Sequence, residues 1–182
     1  RINWAGHRLS RGQDPGDLLD AAVADLGEAL ARNPKRDETW LRRASAHTNR
    51  GYALQVRGED AAPAYRAAEA DFGQALAINP ERDETWMGRG SARLNLGLHR
   101  AEQGQVPDAE YGAAIEDFAE ALKRNPGRPD SWSRRGGACK SWGDARAGRG
   151  EDPGDLYDRA IADHEQAVKI HGRRPDLWKE LG

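Results

Sequence analysis

Cysteine is almost missing from this chain. Cys139 is the only one in 182 residues, so no intrachain disulfide can form and no Cys-x-x-Cys metal or redox motif exists. A reducing compartment suits that usage, and the cytoplasm is the expected location. An excess of charge of either sign is also absent: the net charge is −2 and the isoelectric point is near 6.3. That excludes the clustered basic surplus that nucleic acid would require, so no nucleic-acid partner is expected. No apolar run approaches the length of a membrane span, so no membrane insertion is expected. Arg1 opens the chain with no signal-like segment behind it, which places the expected native start elsewhere. Apolar residues are lean, at 37% against 32% charged. A compact globule of this length would want more, whereas a stack of repeats buries only the faces where units meet.

Chemistry-bearing constellations are missing as well. There is no Gly-rich phosphate loop, no nucleophile elbow and no paired-carboxylate arrangement. His7, His47, His99, His164 and His171 are never paired at the three-to-five-residue spacing of a helical metal site. The DPGD stretches at Asp14 and Asp152 lack the alternating ligands of a calcium loop. No catalytic residue, cofactor or metal is therefore assigned, and an enzyme is not expected.

What is present is repetition. Asn33-Pro34, Asn79-Pro80 and Asn125-Pro126 recur every 46 residues, as do Trp40, Trp86, Trp132 and Trp178. NPKRDETW at 33–40 and NPERDETW at 79–86 agree at seven of eight positions. Ala22, Ala68, Ala114 and Ala160 keep the same phase, and so do Asp25, Asp71, Asp117 and Asp163. Leu26, Phe72, Phe118 and His164 follow four residues after those alanines, and Ala29, Ala75, Ala121 and Ala167 come next. Gly12, Gly58, Gly104 and Gly150 punctuate each unit.

Each unit reads as two helices. The proline after asparagine breaks one, and Asp37, Asp83 and Ser131 are the expected caps of the next. This helix A is expected near 38–57, 84–103 and 130–149, closed by the glycine that follows. Asp14-Pro15 and Asp152-Pro153 read as an N-cap with a first-turn proline, and Pro107 takes the same part. Helix B is then expected near 15–32, 62–78, 107–124 and 153–170. Tyr65, Ala68, Phe72, Ala75 and Leu76 put its apolar residues on one face.

These residues resemble the tetratricopeptide (TPR) pattern W-x2-L-G-x2-Y, A-x3-F-x2-A, P. Trp86, Gly90, Ala114, Phe118, Ala121 and Pro126 follow it in order. Trp40, Ala44, Ala68, Phe72, Ala75 and Pro80 repeat it, and Trp132, Gly136, Ala160 and Ala167 follow with Gly172 in the proline's place. The likeness covers the whole chain. It departs in length, because the usual repeat is about 34 residues; both helices are expected to be lengthened, helix A most. It departs also at Arg43, Arg89 and Arg135, which stand for Leu, and at His47, Arg93 and Cys139, which stand for Tyr.

The resemblance implies an all-α solenoid, a right-handed superhelix of antiparallel hairpins, and a protein or peptide partner on the concave face of the A helices. The family's contact positions fall on Glu38, Leu41, Arg42, Ser45, Thr48 and Asn49 in one unit. In the next they are Glu84, Met87, Gly88, Ser91, Leu94 and Asn95, and then Asp130, Ser133, Arg134, Gly137, Lys140 and Ser141. Leu41 and Met87 stand where the family's chaperone-tail clamp has lysine, so a chaperone tail is not the expected ligand. The recurring tryptophans are expected in the seam between helices. Cys139 is expected to be buried and inert, and His164 to be a core or edge substitution, while Trp142 is a candidate for partial exposure. Arg43, Arg89 and Arg135 each match an aspartate of helix B, giving a repeated bridge or, in the alternative, an arginine row lining a groove.

The domain reading is one array of about four 46-residue units: a partial unit 1–32, then 33–78, 79–124 and 125–170, and a partial unit 171–182. Both ends fall at nearly the same phase of helix A. That leaves two functional expectations: an interaction scaffold within a longer repeat protein, or copies of the chain meeting head-to-tail as a filament.

Overall fold

The computed structural model describes residues 16–172, which form seven helices and no strands. In chain order they are α1 (Gly16–Arg32), α2 (Asp37–Val56), α3 (Ala62–Ile78), α4 (Asp83–Glu102), α5 (Asp108–Arg124), α6 (Pro129–Gly148) and α7 (Leu156–Gly172). Helix A of the repeat is α2, α4 or α6, each of 20 residues. Helix B is α1, α3, α5 or α7, each of 17. Every helix packs on its neighbours in sequence, and α2 meets α4 as α4 meets α6. The molecule is an all-α solenoid of stacked hairpins. No helix among the described residues is long and apolar enough to cross a membrane. Trp4, His7, Gly12, Asp14, Pro15 and Trp178 lie outside the described residues.

Small residues set the helix spacing. Ala44, Ala68, Ala92, Ala114 and Ala138 are fully buried, so backbones come close and a few aromatic rings fill what remains. Gly51, Gly97 and Gly143, 46 residues apart on the A helices, each face the ring of Tyr65, Tyr111 or Tyr157. A Cβ at these glycines would lie 2.5, 2.8 and 2.8 Å from ring carbon. Gly90 takes the ring of Phe118 in the same manner. Full burial of a ring such as Phe118 contributes about 2–3 kcal/mol. The A helices end where expected: Gly58, Gly104 and Gly150 adopt φ near +72, +71 and +72°. The Glu59, Gln105 and Glu151 amides return to the carbonyls of Leu54, Arg100 and Arg146, closing a Schellman turn.

The helix starts differ from expectation. Arg36, Arg82 and Arg128 occupy the N-cap positions, without a side-chain cap. Asp37 and Asp83 instead tie units together. Asp37 accepts from Asn79 Nδ2 (3.1 Å) and pairs with Arg82 (3.1 Å). Asp83 does the same with Asn125 (3.1 Å) and Arg128 (3.0 Å). A carboxylate at the first turn is already favoured by the helix dipole, and here the next unit's asparagine and arginine compete it away from the backbone. Ser131 is buried and its hydroxyl faces the sulfur of Met87. Asp152 accepts from the Gly154 amide, a local turn that precedes α7 by several residues. Pro107 is itself the N-cap of α5.

Candidate functional groove

The arginine row is settled by geometry. Arg43, Arg89 and Arg135 make two-pronged bonds of 2.7–3.0 Å to Asp71, Asp117 and Asp163 of the following B helix. They form bridges and do not line the groove. Each guanidinium also covers an indole, 4.9, 4.8 and 4.9 Å from Trp40, Trp86 and Trp132. The same indoles donate to the carbonyls of Pro34, Pro80 and Pro126 at 2.8, 2.7 and 2.9 Å. The tryptophans thus staple each B-to-A loop onto its A helix and lie half-buried in that seam.

The residues that replace the pattern's tyrosine cluster round the same bridges. Arg93 donates to Asp117 (2.9 Å) and Glu69 (2.7 Å), and His47 stands 3.9 Å from Asp71. Burial pushes the Asp117 carboxyl above the ordinary carboxylate range, against the downward pull of Arg89 and Arg93. Burial also lowers the His47 imidazole and raises the Cys139 thiol; Cys139 is fully buried. Trp142 packs against the cluster around Phe118 and Cys139, its indole N–H buried without a partner. His164 is exposed, at the edge of the last described hairpin.

The remaining face of the A helices forms a groove of about 490 Å³ that crosses three successive units. From α2 come Leu41, Ser45, Thr48, Asn49 and Tyr52. From α4 come Glu84, Met87, Gly88, Ser91 and Asn95, and from the α6 side Arg128 and Arg134; Phe72 of α3 lies between them. Steps of three and four residues place each set on one helical face. Ser45, Thr48 and Ser91 donate to the carbonyls of Leu41, Ala44 and Met87, leaving their oxygens able to accept. Arg134 donates to Ser91 Oγ at 3.3 Å.

Ten residues marked by the family resemblance as ligand contacts therefore line one groove: Leu41, Ser45, Thr48, Asn49, Glu84, Met87, Gly88, Ser91, Asn95 and Arg134. Others do not. Glu38 and Arg42 pair with each other at 2.6 Å on the exposed side of α2, and Lys140 pairs with Asp144 at 2.6 Å. Asp130 and Ser133 line a separate hollow with Ala167, Val168 and His171. Tyr52 and Arg128 are groove residues that pattern reading did not mark. Tyr52 was findable, since it sits one turn beyond Thr48 on the same face. Arg128 was not, because it precedes its helix and reaches in only through the loop fold. Among the described residues, no group of three or more His, Cys, Asp or Glu side chains gathers to hold a metal ion.

No protein-family model and no curated protein matches the chain. Solved structures do. MamA MSR-1 C2 is 16% identical with a TM-score of 0.47, over 86% of this chain and 69% of that one. A crystal structure of MamA is 18% identical with a TM-score of 0.41, over 92% and 94%. YrrB, a TPR protein with an unusual peptide-binding site, is 19% identical with a TM-score of 0.28, over 94% and 90%.

Proposed function

We propose that this tetratricopeptide-type repeat array is a non-catalytic scaffold that holds an extended peptide segment of another protein in the groove of α2, α4 and α6. One observation carries the reading. Asn49 and Asn95, at the same position of successive units, both line the groove. A carboxamide offers a donor and an acceptor together, which matches the backbone of a peptide laid across the units. The hydroxyl oxygens of Ser45 and Thr48 add acceptors along the same path. The test is a peptide library displayed against the whole chain, followed by affinities for the recovered sequences. Replacing Asn49 and Asn95 together by alanine is expected to weaken binding by about tenfold or more, at about 1 kcal/mol per hydrogen bond. Unchanged affinity, with the fold intact by circular dichroism, removes the groove from the function.

A second reading, end-to-end association of copies, draws on α7. Ile115 and Leu122 of α5 are 5% and 6% exposed under α6. Their counterparts Ile161 and Val168 of α7 are 58% and 71% exposed. A second copy of the chain that stacked here would cover both side chains. Sedimentation over a wide concentration range tests it: assembly that Val168→Asp abolishes supports it, and a monomer throughout overturns it.

A further inference from the structure

The groove is not uniform along the array. Arg42 and Arg134 occupy equivalent positions in their units, but the unit between them has Gly88. A Cβ there would lie 2.5 Å from Phe72 Cε1 and Cζ, so the ring is packed hard against the backbone of α4. The ring therefore takes the place of a side chain at this position, and with Leu41 and Met87 it gives the groove an apolar floor where the flanking units have arginine. Beside it is an uncommitted charge. Arg134 touches only the Ser91 hydroxyl and has no carboxylate partner among the described residues. Arg42, its counterpart, is held by Glu38, and Arg128 is held by Asp83 and Glu84.

Resting on the groove reading above, we propose that this asymmetry fixes the ligand class: a peptide carrying one bulky aliphatic or aromatic side chain for the apolar floor at Gly88 and a carboxylate for Arg134. The spacing follows from geometry. Ser91, where Arg134 rests, is three residues along α4 from Gly88, a rise of about 4.5 Å. A separation that short places the acid close to the apolar side chain in the peptide sequence. A bulky apolar side chain on that floor excludes water, and the drier surroundings strengthen the guanidinium–carboxylate contact.

Peptides recovered from an unbiased library, measured by fluorescence anisotropy against the whole chain, test the assignment. The enriched sequences are expected to share the apolar–acidic pair. Alanine in place of the apolar residue is expected to weaken binding at least tenfold. Glutamine in place of the acid is expected to weaken binding about tenfold on the wild type and hardly at all on Arg134→Gln, a coupling that a double-mutant cycle isolates. Gly88→Arg is expected to push the Phe72 ring aside, cover the apolar floor with charge and abolish binding; if that variant does not fold, the Arg134→Gln cycle decides alone. Peptides that depend on Asn49 and Asn95 but show no coupling to Arg134, or lack the apolar residue, overturn this inference and leave the groove reading standing. Binding indifferent to Asn49, Asn95 and Arg134 alike overturns both.

Discussion

Asp117 concentrates the electrostatics of the array. It is 2% exposed and faces two guanidiniums, Arg89 at 2.7 Å and Arg93 at 2.9 Å. Removing one partner of a buried pair leaves a charge without compensation. Arg89→Ala is expected to cost about 3 kcal/mol at pH 7, the low end for a buried pair because Arg93 remains. The pH dependence has a definite sign. The folded carboxyl already titrates above its unfolded value, so its contribution to stability falls as pH rises through that window. Losing Arg89 raises it further, and urea titrations should show a larger loss at pH 7 than at pH 4. His47 works in the opposite sense. Its folded pKa lies below the ordinary 6.5 because burial disfavours the cation, so the unfolded chain takes up the proton first. Stability should drop as pH falls below that value, and His47→Gln should flatten the drop between pH 7.5 and 5.5.

At the scale of the helix, glycines of similar appearance do different jobs. Gly51 sits in α2 against the buried ring of Tyr65, whose hydroxyl donates to Gln55 at 2.9 Å. Gly51→Ala forces that ring aside and should destabilise by about 1–3 kcal/mol, the usual range for overpacking. Gly73 lies in α3 with nothing within 4 Å of a Cβ. There Gly73→Ala should stabilise by roughly 0.5–1 kcal/mol through helix propensity alone. Thermal melts of the two variants distinguish packing from propensity, and equal shifts would contradict the close Gly–Tyr contact. The sequence shows both glycines plainly, but only 46-residue bookkeeping on tyrosine as well as tryptophan would have paired Gly51, Gly97 and Gly143 with Tyr65, Tyr111 and Tyr157.

For the molecule as a whole, stacking is the source of stability, so stability should vary along the array. α3, α4 and α5 are covered on both sides by described helices, while α7 leaves Ile161 and Val168 open. The junction latch also ends before the last described hairpin. Pro129 stands at the position of Asp37 and Asp83, and His171 at that of Asn79 and Asn125. Amide hydrogen exchange should therefore be slowest in α3 to α5 and faster in α7. Uniform protection would show that the hairpins unfold as one unit despite their nearest-neighbour contacts.

The helices and their pairing were legible in the sequence because they follow from periodicity, proline breaks and glycine stops, all local in the chain. The Arg–Asp bridges were one of two readings that the recurring charge pair allowed, and the stacking geometry chose between them. Other roles needed the third dimension. Asp37 looks like a cap until Asn79, 42 residues away, is brought beside it. Glu38 and Arg42 satisfy each other on the exposed side, whereas Leu41 and Ser45, one or three residues away, enter the groove. The rotation of each helix about its own axis decides that, and it is set by which ring fills which glycine notch. Gly88 is one letter in the sequence; its meaning depends on the Phe72 ring packed against its backbone and on the arginines at the equivalent positions of the neighbouring units.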